Sequence, residues 1–121
     1  MKKILFIILL LINSVVYAQW TLVEFHDTAH FYIESTTIQT INKNKRAWLK
    51  IEFLNSEIQK SARSLVEFDC LEKKLRFLNF ESFNKPNLID SKSYINQPQQ
   101  WEYVAPGSAF LSVLNYVCNK K

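Results

Sequence analysis

The chain has 121 residues, 48% of them hydrophobic, and carries a formal net charge of +4. That length makes a single small domain with a modest core. The charge is weak and mixed in sign, with no arginine-rich run and no aromatic-basic recognition motif, so nothing in it argues for a nucleic-acid partner.

The first stretch, MKKILFIILLLINSVVYAQW, places Lys2 and Lys3 ahead of an apolar run, Ile4–Ile12, followed by Asn13, Ser14 and the segment Val16-Tyr17-Ala18. A basic start, a short apolar core and small residues at −3 and −1 are the marks of a secretory signal peptide, residues 1–18. Cleavage after Ala18 leaves a mature chain that begins at Gln19 and has two lysines fewer. The competing reading, a membrane anchor, fails on length: the run rises about 14 Å as a helix against a hydrocarbon core of about 30 Å. No later apolar run is long enough to span a bilayer, and no cysteine near the cleavage site could take a lipoprotein lipid. The expected location is the periplasm, the medium or the cell surface.

The segments WTLVEF (20–25) and AHFYIE (29–34) are rich in aromatic and β-branched residues and read as short strands. RAWLKIEF (46–53) alternates cleanly. Ala47, Leu49, Ile51 and Phe53 share one face, and Arg46, Trp48, Lys50 and Glu52 share the other, the pattern of a sheet with one wet side. SARSLVEFDC (61–70) repeats it, with Ala62, Ser64, Val66, Phe68 and Cys70 opposite Arg63, Leu65, Glu67 and Asp69. KKLRFLNFESF (73–83) reads as one further strand with a blurred pattern. Turns such as NKNK (42–45) and NSE (55–57) use asparagine and serine, because asparagine tolerates left-handed backbone in a chain with one glycine. Residues 84–100 carry two prolines and many amides and read as a long, mobile connection with room for a short extended piece.

Trp101–Val104 is expected to form a last edge segment, stopped by Pro106. Gly107 then supplies the corner and Ser108 the cap of a helix. Phe110, Val113, Leu114, Val117 and Cys118 fall on one stripe of that helix at helical period. Export delivers Cys70 and Cys118 to an oxidising compartment, where an even count favours a bridge over two free thiols or an intermolecular link. Both lie on apolar faces, so their sulfurs are expected to meet between helix and sheet. A loop of about 48 positions closed in this way contributes about 4 kcal/mol in chain-entropy terms. The fold class is α+β: an antiparallel sheet of about five to six strands with one C-terminal helix tethered by a disulfide to its apolar face.

Chemistry-bearing motifs are scarce. No P-loop, dinucleotide fingerprint, nucleophile elbow or H-E-x-x-H occurs. His26 and His30, with Asp27 between them, have a spacing that could serve zinc, yet no third histidine or cysteine joins them, and they read as surface residues flanking a strand start. Glu67 and Asp69 read as solvated acids on a wet strand face. No catalytic residue, cofactor or metal is expected. What remains is surface: Arg46, Trp48 and Lys50 on one segment with Lys73, Lys74 and Arg76 on a neighbouring one, a juxtaposition of aromatic and cationic groups that interfaces favour. These six residues form the candidate protein-binding face.

Three stretches in order are similar to the surface-adhesin protein E family of Gram-negative bacteria: FYIESTTIQTINKNKRAWLKIEF, VEFDCLEKKLRFLNF and WEYVAPGSAFLSVLNYVC. The first leads through a polar turn into a tryptophan-bearing strand. The second is an acidic-cysteine-basic strand pair. The third holds a closing tryptophan, a Pro-Gly-Ser corner and a helix ending in cysteine. The resemblance covers about residues 20–118, and so assigns 19–121 as one such domain. It implies a curved antiparallel sheet, a Cys70–Cys118 bridge, the helix corner at Pro106-Gly107-Ser108 and a tendency to form homodimers. Adhesin members of the family bind host matrix and plasma proteins such as vitronectin, laminin and plasminogen, which implies a small exported, non-catalytic binding module. A periplasmic structural or regulatory protein that contacts another envelope component is the alternative.

Overall fold

The computed structural model describes residues 18–56, 59–84 and 92–120. Residues 1–17, which carry the signal-peptide reading, lie outside the described residues, as do residues 85–91 of the expected connection.

The described strands are β1 (Trp20–Phe25), β2 (Ala29–Glu34), β3 (Gln39–Ile41), β4 (Asn44–Phe53), β5 (Gln59–Asp69), β6 (Lys74–Phe77), β7 (Phe80–Asn84), β8 (Lys92–Ile95) and β9 (Glu102–Tyr103). Among the described residues one 3-10 turn spans Ser35–Thr37, and one helix, α1, spans Ala109–Cys118. Every pairing is antiparallel, and the main path through the sheet runs β1-β2-β4-β5-β6-β9. The expected antiparallel sheet with one terminal helix is therefore the fold.

The sheet holds more strands than five or six because its edges are built from fragments. The long pair β4–β5 lies at its centre, with Ala47 opposite Val66, Leu49 opposite Ser64 and Ile51 opposite Ala62. Along the free edge of β4, β2 pairs with residues 49–53 and β3 with residues 44–46. Along the free edge of β5, β6 pairs with residues 66–69 and β7 with residues 59–63. Residues 73–83 are thus two strands and not one. Asn79 makes the break: its side-chain Oδ1 accepts a hydrogen bond from the Leu65 N–H at 3.0 Å, and its carbonyl accepts one from the Ser64 hydroxyl. On the opposite edge the Trp48 N–H donates to the Thr37 hydroxyl oxygen at 3.1 Å. Trp48 and Leu65 face each other across the central pair, so both edges change partner at the same level. Side chains satisfy the backbone groups that a continuous ladder would have paired, as buried backbone requires, and a sheet interrupted on both edges at one level is free to bend there.

Asn42 is the left-handed residue between β3 and β4, with φ 56°, in the expected asparagine turn. The β5–β6 turn needs the same geometry at Lys73, φ 57°, a conformation costing a residue with a Cβ about 1 kcal/mol or more. Asp69 offsets that cost, because its Oδ1 accepts from the N–H groups of Leu71 and Glu72 at 3.1 and 3.0 Å. β8 occupies the latter half of the expected connection and pairs with β7.

At the other end Gly107, φ 78°, turns the corner. The Ser108 hydroxyl then accepts from the Leu111 N–H at 3.3 Å and caps α1. Val113, Leu114 and Val117 are completely buried and share one core with Ile33, Leu49, Val66 and Phe68. The Phe110 ring meets Phe31 and Phe77 edge-on at 5.5 and 6.1 Å. Cys70 and Cys118 are disulfide-bonded, with Cα atoms 5.7 Å apart, joining the end of the helix to the end of β5. Among the described residues no helix is long and apolar enough to cross a membrane.

Candidate protein-binding face

The helix covers one side of the sheet; strand alternation sends every second side chain to the other. On that open side the central pair sets Arg46 against Glu67, Trp48 against Leu65 and Lys50 against Arg63. The flanking strands add Tyr32 opposite Lys50, Arg76 opposite Glu67 and Glu81 opposite Arg63. All three tryptophans of the chain, Trp20, Trp48 and Trp101, stand here, half-buried, and none is in the core.

Several cations of the face are seated on aromatic rings. The Lys50 ammonium lies 4.9 Å from the Trp20 ring centroid and 4.8 Å from that of Tyr32. The Arg76 guanidinium lies 4.7 Å from Trp101, and the Lys74 ammonium 5.5 Å from the same ring. Such contacts hold flexible side chains in place and keep their charge at the surface. Lys74 is also held above its ordinary pKa range, first by the hydrogen bond to Glu72, 2.8 Å away.

Glu67 is the electrostatic centre. It is not the solvated acid expected of a wet strand face: it is buried, because Arg46 from β4, Arg76 from β6 and Asn44 close over it. Its Oε1 accepts from Arg76 at 2.9 Å and lies 3.5 Å from Arg46, while its Oε2 accepts from the Asn44 amide at 2.9 Å. Burial pushes the carboxyl up, but the hydrogen bonds from Asn44 and Arg76 and the charges of both arginines outweigh it and hold the group below the usual carboxylate range. Asp69, the other acid expected to be solvated, spends its carboxylate on the β5–β6 turn.

Trp48 forms a ridge between two hollows. The larger, about 630 Å³, is lined by Ala18, Trp20, Glu34, Thr37, Arg63 and Glu81 along with Trp48 itself. The Arg63–Glu81 ion pair, 2.6 Å, closes one side of it. The smaller, about 280 Å³, lies between Trp48, Arg46, Leu65 and the 3-10 turn. Glu34, at the rim of the larger hollow, is only 4% exposed. Burial works to raise its carboxyl, and hydrogen bonds from the Thr36 hydroxyl and from the backbone of Gln19, Thr36 and Thr37 together take it below the usual range.

Five of the six expected face residues, Arg46, Trp48, Lys50, Lys74 and Arg76, lie on this open side. Lys73 occupies the left-handed turn position and is exposed, apart from the others. Sequence reasoning missed Trp20, Tyr32 and Arg63, which reach the face through strand pairing, and Trp101, which reaches it under Arg76 and Lys74. Only Arg63 carried a signal, its place on the Leu65–Glu67 side of an alternating segment. His26 and His30 rest against different rings: His26 is edge-on to Phe31, and His30 lies between Phe25 and Tyr32. Among the described residues no group of three His, Cys, Asp or Glu side chains comes together to hold a metal ion.

A family model described as surface-adhesin protein E matches residues 20–119, from the first tryptophan of the face to the residue after Cys118. The chain belongs to the surface-adhesin protein E family. Comparison with curated proteins found no match. The matched span contains every described strand, both cysteines and the capped helix, so the family assignment and the disulfide-tied architecture rest on the same residues.

Proposed function

We propose that this surface-adhesin protein E domain is an exported, non-catalytic binding module, and that the open face centred on Trp48 is the surface it presents to a protein partner. The observation that carries this reading is the placement of all three tryptophans outside the core, on one face, interleaved with arginines and lysines held over their rings. Tryptophan, tyrosine and arginine dominate the energetics of protein interfaces, and the hollows on either side of Trp48, of which cleavage removes only the Ala18 wall, give a partner side chain somewhere to be buried. The family description supports an adhesive role, the signal-peptide reading supports export, and host matrix or plasma proteins are the partners we propose.

A periplasmic role is the second reading, favoured by one observation: both cysteines of the sequence are joined in the bridge, which leaves no sulfur in it for a lipid anchor. Fractionation of cells expressing the full chain separates the two, since a protein confined to the periplasm meets no host. The binding reading is tested with immobilised vitronectin, laminin and plasminogen and with envelope extract, each probed with wild type and Trp48→Ala. Loss of binding in the variant, with the fold retained, is expected. Equal binding by both proteins would remove the face from the account.

A further inference from the structure

Glu34 presents a puzzle that the binding face does not solve. It is 4% exposed in the uncut chain, and its two oxygens are held by hydrogen bonds with no cation among the donors. Among the described residues no lysine, arginine or histidine forms an ion pair with it. Arg63, the basic residue that shares its hollow, is engaged by Glu81 at 2.6 Å. What lies against Glu34 is the start of the mature chain. The Gln19 backbone nitrogen donates to Oε1, while Thr36 donates its hydroxyl to Oε2. Gln19 is also pinned from its other end, because its carbonyl accepts from the Ser35 N–H at 2.9 Å and from the Ser35 hydroxyl at 3.2 Å. The β1–β2 register, with Trp20 opposite Glu34, sets this placement.

We infer that Glu34 is a receptor for the amino terminus freed by cleavage between Ala18 and Gln19, the new α-ammonium group supplying the missing cation. The inference rests on the signal-peptide reading and is independent of the binding face. Hydrolysis of the Ala18–Gln19 peptide bond adds one water, giving Ala18 a carboxylate and Gln19 an amine that is protonated at neutral pH. The nitrogen already touching Glu34 then changes from an amide donor to a charged one, and charge-assisted hydrogen bonds are about twice as strong as neutral ones. Leader removal thereby completes the β1–β2 edge, and a terminus that is one residue longer cannot make the same pair.

The test uses the full chain exported with its own leader, in wild-type form, as Glu34→Gln, and each with one glycine inserted between Ala18 and Gln19. Intact mass reads where the product begins, and thermal unfolding reads the clasp. The expected result is a wild-type product starting at Gln19 and an insertion that lowers its Tm by about 4–8 °C, with little further loss when the insertion is placed in Glu34→Gln. A product starting elsewhere, or an insertion equally costly or equally harmless in both backgrounds, overturns the inference. Should Glu34→Gln fail to fold, the wild-type product decides alone by NMR titration of its α-amine. A pKa raised above the ordinary value of about 7.7–8.0 supports the pair, and an ordinary value overturns it. A cleaved product lacking the clasp would leave the leader and the binding face untouched.

Discussion

On the helix side of the central strand pair, Ala47, Leu49 and Ile51 meet Val66, Ser64 and Ala62, and Ala47, Leu49, Ile51 and Val66 share one core with Val113, Leu114 and Val117. One residue along, the same two strands set Arg46, Trp48 and Lys50 against Glu67, Leu65 and Arg63, and among the described residues no helix lies over them. The covered side uses aliphatic groups and phenylalanine. The open side uses tryptophan, tyrosine and paired charges, which tolerate water and can still bury area against a partner. The first side supplies the hydrophobic free energy that holds a small domain together; on the proposed reading the second supplies shape and charge to a partner.

That division predicts a graded series. The largest effect belongs to the clasp of the covered side. Replacing Cys70 and Cys118 together by serine is expected to cost about 4 kcal/mol in a denaturant titration, a large share of the roughly 5–15 kcal/mol that such domains possess. Leu114→Ala, which empties a completely buried site, should cost about 3 kcal/mol by the same measurement. Comparable stability for either variant and wild type would mean that α1 is not held as described.

The open side should respond differently. Glu67→Gln removes the charge that gathers Arg46, Arg76 and Asn44 and is expected to cost about 2 kcal/mol at neutral pH. The sign of its pH dependence follows from the lowered folded-state pKa. The contribution is fully present above the unfolded value of about 4.3 and is lost as pH falls through the lower folded value, so wild type and variant should converge in acid. Parallel pH–stability curves would show that the Glu67 charge adds nothing to folding. The smallest effect on stability, about 1 kcal/mol or less, is expected for Trp48→Ala, because its ring is half-buried and lies outside the core.

The covered side was largely legible in the sequence, because burial on one face leaves a period. Residues 46–53 and 61–70 alternate over enough positions to show it, and the stripe Phe110, Val113, Leu114, Val117 shows the helical counterpart behind Gly107 and Ser108. The two cysteines fell at the ends of these patterns, so the bridge could be placed. The open side was legible only in part, because its contacts join residues that periodicity does not relate. Glu67 meets Arg76 nine positions later and Asn44 twenty-three earlier, and only the register of three strands brings them together. Asn79 looks like any other polar residue in LRFLNFESF, yet its side chain splits that segment into two strands. β3, β8 and β9 hold three, four and two residues, too few to display a period at all.

The division of labour is tested most directly by measuring unfolding free energy and partner binding on one preparation of Trp48→Ala. The account predicts stability within about 1 kcal/mol of wild type together with a loss of affinity of about tenfold or more. Unchanged affinity in a stably folded variant would contradict it.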